Sequence, residues 1–211
     1  MKRHPLERIV RPQVLDACCG GKMMWFDQAD PRAVFIDIRR ETHVTDSRPG
    51  RKELVVDPDH VASFTDMPFD DGQFSLVVFD PPHIIRNEAR GWITKKYGVL
   101  NGDWKAMLRD GFKECFRVLR DGGVLIFKWS DSNVPVSEIL ALTPEKPLFG
   151  HKSGKKMGTH WIAFMRSNKV VATEGRNPAL VCSRGVVGNR KASVNIVDDR
   201  GIESLKILPL D

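Results

Sequence analysis

The stretch Phe74–Phe79 (Phe-Ser-Leu-Val-Val-Phe), followed at once by Asp80-Pro81-Pro82-His83, constrains this chain more than any other feature. Such a run reads as a buried β-strand. Two consecutive prolines stop a strand and forbid a helix interior, because each removes a backbone donor and fixes φ. Asp80 must therefore sit in a sharply defined turn at the carboxyl end of a buried strand.

Other segments repeat the pattern of a short apolar run ending in an acid. Residues 13–16 end on Asp16 and, with Ala17, lead into Cys18-Cys19-Gly20-Gly21, a strand followed by a glycine turn. Residues 33–38 (Ala-Val-Phe-Ile-Asp-Ile) are β-rich and carry Asp37 near their end. Residues 124–129 and 160–166 read as later strands. Between them, residues 103–119 place Met107, Leu108, Phe112, Cys115, Phe116 and Leu119 at helical spacing, with Gly122-Gly123 beyond. Short helices are expected at 23–26 and 136–142. Residues 39–60 read as polar loop with one brief strand at 54–56, and residues 84–102 as a basic loop. Strands alternating with helices predict a doubly wound, Rossmann-like α/β domain over residues 1–166, opened by a basic arm at 1–12. Residues 167–211 read as an irregular C-terminal extension with short β-like runs at 169–172 and 193–197.

A chain of 211 residues suffices for one such domain with a full core. No apolar stretch reaches the length of a membrane span, and the basic start lacks the apolar segment of a secretory signal, so a cytoplasmic protein without membrane contact is expected. Cys18, Cys19, Cys115 and Cys182 form no CxxC pair and read as free thiols in a reducing compartment; no zinc cluster is expected. The net charge of +6 and pI near 9.3 permit a polyanionic partner.

Ligands of open α/β sheets bind beyond the carboxyl ends of the strands. There Asp16 suits the amino group of an amino-acid moiety, while Gly20 and Gly21 let the backbone come close. Asp37 suits ribose hydroxyls, or pairs with Arg39 or Arg40. Asp80 and the carbonyl of Pro81 can together accept both protons of one planar NH2 group. That draws the nitrogen toward sp3 and frees its lone pair. His83 offers a flat face to a planar ring.

Asp-Ala-Cys-Cys-Gly-Gly, the acid ending the second strand, and Met-Pro-Phe-Asp-Asp-Gly-Gln-Phe-Ser-Leu-Val-Val-Phe-Asp-Pro-Pro-His together resemble the class I S-adenosylmethionine (SAM)-dependent methyltransferases. More narrowly the chain resembles amino-methyltransferases with an (Asp/Asn/Ser)-Pro-Pro-aromatic motif, small phage and bacterial enzymes among them, most of which modify adenine N6 in DNA or RNA. The resemblance covers residues 10–166, with the segment Arg117 to Phe127 fitting the helix and strand after the motif. It implies a mostly parallel seven-stranded sheet. It implies methyl transfer from SAM, without metal, to an exocyclic amine, releasing S-adenosylhomocysteine. Asp16, Cys18, Gly20 and Gly21 would surround the methionine portion, Asp37 the ribose, and Ser63, Phe64 and Asp66 the cofactor adenine. Asp80, Pro81, Pro82 and His83 would hold the target amine. The chain departs from the family at Lys22, where a glycine is usual, at Ser63 or Asp66 in place of the usual acid, and at His83 for Tyr or Phe.

Cations interleaved with aromatics are the expected footprint of nucleic acid. Arg86, Arg90, Lys95, Lys96, Lys105 and Arg109 accompany Trp92 and Tyr97; Lys146, His151, Lys152, Lys155 and Lys156 precede His160-Trp161. A protein-amide or small-molecule methyltransferase, and a non-catalytic binding module on the same fold, are the alternatives. A nicotinamide dehydrogenase is disfavoured because no GxGxxG follows the first strand.

Overall fold

A computed structural model describes residues 12–47, 50–85, 91–154, 158–167, 191–197 and 203–209. In chain order the elements are β1 (Val14–Asp16), β2 (Ala33–Asp37), β3 (Glu41–Ser47), β4 (Gly50–Val56), β5 (His60–Val61), β6 (Phe74–Phe79), α1 (Trp92–Tyr97), α2 (Trp104–Val118), β7 (Leu119–Ser130), α3 (Val136–Leu140), β8 (Phe149–Ser153), β9 (Thr159–Met165), β10 (Lys191–Val197) and β11 (Glu203–Pro209). Seven strands form one sheet in the order β5-β2-β1-β6-β7-β9-β8. The first five are parallel, and β9 runs antiparallel to both β7 and β8. The expected mostly parallel seven-stranded sheet is thus present. Its winding reverses between β1 and β6, which is where open α/β sheets leave a crevice for ligands.

Burial explains the inner strands. Every residue of β2 is buried, and Phe74, Val77, Val78 and Phe79 of β6 are buried on both faces. α2 covers the sheet with Leu108, Gly111, Phe112, Cys115 and Val118, one stripe at helical spacing. Phe112 meets the rings of Phe79 and Phe127 at 5.5 and 4.9 Å. The helix starts at Asp103, whose carboxylate accepts from the backbone N–H of Ala106 at 3.0 Å.

Several expectations are corrected. Residues 23–26 form no helix; the chain makes successive turns there, and Lys22 takes a left-handed φ of 51° that interrupts helical continuation. The supposed loop at 39–60 holds the β3–β4 hairpin, paired from Glu41↔Val56 to Ser47↔Gly50. Its charged residues dilute the alternation that buries Leu54 and Val56. The basic loop at 84–102 contains α1, and the helix expected at 136–142 ends at Leu140. β8 went unanticipated because all its residues are exposed, so it carries no burial pattern.

Two compact units divide the chain, Met1–Lys169 and Val170–Asp211. The second contains an antiparallel hairpin, β10–β11, rather than wholly irregular chain. The run expected at 193–197 lies in β10, and the one at 169–172 lies outside the described residues. No described helix is long and apolar enough to cross a membrane.

Candidate cofactor and acceptor site

A cavity of about 610 Å³ opens at the carboxyl ends of β1, β2, β6 and β7, a volume suited to a small organic ligand. Of the residues singled out from sequence, Cys18, Gly20, Asp37, Ser63, Phe64, Asp80, Pro82, Lys95, Lys96 and Tyr97 line it. Asp16, Gly21, Pro81 and His83 are next to lining residues in sequence, and Asp66 is two residues from Phe64, but none of the five lines the cavity.

Asp16 stands behind the loop it was expected to complete. It is fully buried, and its carboxylate accepts from the indole Nε1 of Trp25 at 2.7 Å and from the Cys18 amide at 3.2 Å. Burial pushes its pKa up to about 6, against the opposing hydrogen bonds. Gly20 needs its left-handed φ of 48° to turn the loop. Lys22 adopts a similar φ without being glycine, and its ammonium lies 4.2 Å from the Phe35 ring centroid.

Asp37 is buried at the end of β2. Oδ2 accepts from the Gly20 amide at 3.0 Å, and Oδ1 accepts from the Arg39 amide at 2.9 Å and from Arg39 Nε at 3.0 Å. The pairing with Arg39 therefore coexists with a position on the cavity wall. Arg39 also donates to the Lys95 carbonyl at 2.7 Å, tying α1 to the β2 end. The next residue, Ile38, lines the cavity although 68% of it is exposed, and Ala62 and Phe64 add further apolar surface. An acid for a diol beside apolar surface for a flat ring is the donor set of an adenosine moiety, so the residues fit SAM. Full use of Asp37 by two hydroxyls requires the Arg39 guanidinium, which donates to Oδ1 at 3.0 Å and to Oδ2 at 3.4 Å, to release both sites.

The segment carrying Ser63 and Phe64 is pinned from α2. Arg117 donates to the carbonyls of Met67 at 3.0 Å and Phe69 at 2.8 Å, and Glu114 accepts from the Met67 amide at 2.9 Å. Phe64 stacks edge-on against Phe79 at 5.3 Å, over Gly111, where a Cβ would stand 2.7 Å from its ring. Ser63 Oγ shares a 2.7 Å hydrogen bond with Thr65, and Asp66 is exposed and does not line the cavity.

Asp80 meets a partner that the sequence reading did not name. Lys128 on β7 places Nζ 2.5 Å from Asp80 Oδ2, with the two side chains only 26% and 20% exposed. Burial pushes the Asp80 pKa up, and the Lys128 charge and hydrogen bond oppose that rise. The clue was a lone lysine in the apolar run Val-Leu-Ile-Phe-Lys-Trp. His83 does not line the cavity; its ring packs against Tyr97 at 5.9 Å and Trp129 at 6.4 Å. Burial lowers its pKa, which keeps the ring neutral near pH 7. Tyr97, 39% exposed, lines the cavity, as Phe64 does. Gly98 seats α1 on the motif, since a Cβ there would stand 3.0 Å from Pro82 Cγ.

The expected basic clusters divide. Lys95 and Lys96 line the cavity, Trp92 is half-buried at the start of α1, and Lys105 pairs with Glu138 at 2.7 Å. Arg109, Lys146 and His151 are exposed. Lys152 pairs with Asp131 at 3.1 Å, and Asp131 also meets His160 at 2.8 Å. Arg86, Arg90, Lys155 and Lys156 lie outside the described residues.

No protein-family model matches the chain, and no curated protein matches it in sequence. Among solved structures, a SAM-dependent methyltransferase from Methanosarcina mazei is 13% identical, with 79% of this chain and 99% of that one covered at a TM-score of 0.47. A Pyrococcus horikoshii protein is 17% identical over 73% of this chain and 81% of its own, at a TM-score of 0.46. The N-methyltransferase NodS from Bradyrhizobium japonicum is 9% identical over 73% and 85%, at 0.45. Identities this low concern the fold alone. The fold class rests on the strand order and on antiparallel β9: a Rossmann-like, class I methyltransferase sheet.

Proposed function

We propose that this chain is a SAM-dependent N-methyltransferase whose acceptor is an exocyclic amino group, adenine N6 of DNA or RNA before others. The observation that carries the reading is one cavity that joins Asp37, Ile38 and Phe64 to Asp80 and Pro82 at the switch point of the sheet. Fold alone does not assign chemistry, so the weight falls on this juxtaposition.

Bound SAM supplies a methyl group on a positively charged sulfur. Asp80 orients the amine by accepting a proton from it, and the two prolines that follow hold the carboxylate's turn rigid. Asp80 Oδ1 carries no hydrogen bond among the described residues, so it remains available to the amine, while Lys128 occupies Oδ2. Fixing two reactants at attack distance contributes about 7–11 kcal/mol toward the barrier. As the nitrogen–carbon bond forms, the amine becomes cationic and loses a proton to water or to Asp80. Lys95, Lys96 and Tyr97 at the cavity offer cations for phosphates and a ring for stacking. A base within a duplex must be flipped out, at a cost of a few kcal/mol.

The test is transfer of labelled methyl from SAM to DNA, to total RNA and to a protein extract, with Asp80→Ala as control. Label that digests to N6-methylated adenine nucleoside and disappears with Asp80→Ala supports the reading. Label in protein instead supports an amide acceptor. No label and no SAM binding would leave a non-catalytic module.

A further inference from the structure

We propose that Lys128 is the specificity-determining residue of the acceptor pocket: it donates a hydrogen bond to a ring nitrogen next to the target amine. The pocket then selects the amino–ring-nitrogen edge of adenine or cytosine and directs methyl to the amine. This rests on the N-methyltransferase reading above.

Lys128 sits on an inner strand, between β6 and β9, flanked by buried Phe127 and Trp129. A cation there costs desolvation that an apolar residue would avoid, so its presence calls for a reason beyond folding. Its Nζ is 2.5 Å from Asp80 Oδ2 and 5.5 Å from the ring of Trp161, its cross-strand partner. The ammonium has three donors. Among the described residues one of them is hydrogen-bonded, to Asp80. Both side chains line the cavity, so the pocket presents an acceptor and a donor side by side.

That pair complements an NH2 group joined to a carbon that also bears an acceptor nitrogen. Adenine (N6 with N1) and cytosine (N4 with N3) have such an edge. An alkyl amine has none, and in its ammonium form Lys128 repels it. The donor also controls which atom reacts. The exocyclic amine delocalises its lone pair into the ring, so the ring nitrogen is intrinsically the better nucleophile. A hydrogen bond from Lys128 ties up that competing lone pair, while Asp80 draws the amine toward sp3. The amine nitrogen forms the bond to carbon, the sulfur keeps the electron pair of the bond that breaks, and the amine proton leaves.

The test uses the full chain and random-sequence single-stranded oligonucleotides, DNA and RNA, made with adenine or with 1-deazaadenine, which keeps the amine and replaces N1 by C–H. Wild type is expected to show kcat/KM about tenfold to a hundredfold lower on the deaza strands, as for loss of one charge-assisted hydrogen bond. Binding without SAM should rank the strands the same way. Lys128→Met should treat the two alike and release methylation at N1, and Lys128→Arg should restore the discrimination. If Lys128→Met is inactive, wild-type rates and the binding comparison decide. Label found on cytosine is judged by the same criterion with 3-deazacytosine. Transfer to adenine without discrimination by wild type, or discrimination that persists in Lys128→Met, overturns the role of Lys128 alone. Absence of transfer to every strand overturns the nucleic-acid acceptor of that reading and this inference with it.

Discussion

Asp16 is a charge the fold keeps at a cost. Its carboxyl loses a proton near 3.8 when unfolded and near 6 when folded, because burial disfavours the anion. The unfolded chain therefore ionises first as pH rises, and stability falls between those two values and levels off above them. Two units correspond to about 3 kcal/mol, reduced because an amide, with one oxygen, keeps only one of the hydrogen bonds from Trp25 and Cys18. Asp16→Asn should thus raise stability at pH 8 by about 1–2 kcal/mol, and the gain should vanish below about pH 4, as read by urea denaturation across pH. Asp37 and Asp80 are close enough to raise the same pKa. Three clustered carboxylates favour a cationic ligand, so the variant should lose affinity for SAM, by about tenfold, and less for neutral S-adenosylhomocysteine in calorimetry. At this scale the sequence disclosed Asp37 and Asp80, because each ends an apolar run. It disclosed neither Lys128 nor the retreat of His83 and Asp16 from the cavity wall. Those depend on which side chains meet across strands far apart in sequence, as Lys128 and Asp80 do.

Among the elements, α2 carries a glycine where helix propensity argues for alanine. Gly111→Ala gains about 1 kcal/mol of propensity. Its Cβ would stand 2.7 Å from the Phe64 ring and 2.8 Å from the Phe79 ring, however, and overpacking costs about 1–3 kcal/mol. The clash should win. Thermal unfolding should show a net loss, and Phe64, displaced toward the cavity, should weaken SAM binding as well. A change at the start of the helix separates stability from site: Asp103→Ala removes the N-cap and should cost about 1 kcal/mol with SAM affinity unchanged. α2 was legible in sequence because its apolar stripe is long and two glycines follow it. α1 was not, since six residues with no capping side chain leave too little periodicity to read. The β3–β4 hairpin was obscured for a related reason, with charges interrupting its alternation.

For the molecule as a whole, the sheet order makes one mouth where the winding reverses, and α1 brings Lys95, Lys96 and Tyr97 to it. The alternation of apolar runs and helices was enough to anticipate that architecture, since few topologies bury inner parallel strands on both faces. The charge of +6 gave no position for an interface by itself, and Lys105 and Lys152, once counted among its cations, are taken by Glu138 and Asp131. Among the described cations of the two basic clusters, Lys95 and Lys96 are the ones that line the cavity, while Arg109 and Lys146 are exposed. Binding of a single-stranded oligonucleotide, followed by fluorescence anisotropy over a salt series, should therefore weaken as salt rises, through release of counterions from the phosphates. Lys95→Ala and Lys96→Ala should each reduce the slope of log affinity against log salt by about 0.7, whereas Lys152→Ala, already paired with Asp131, should leave the slope unchanged. Equal slopes in all three variants would move the nucleic-acid track away from α1 and remove the basis for placing phosphates there. A slope lost with Lys152→Ala alone would move it to the β8–β9 edge.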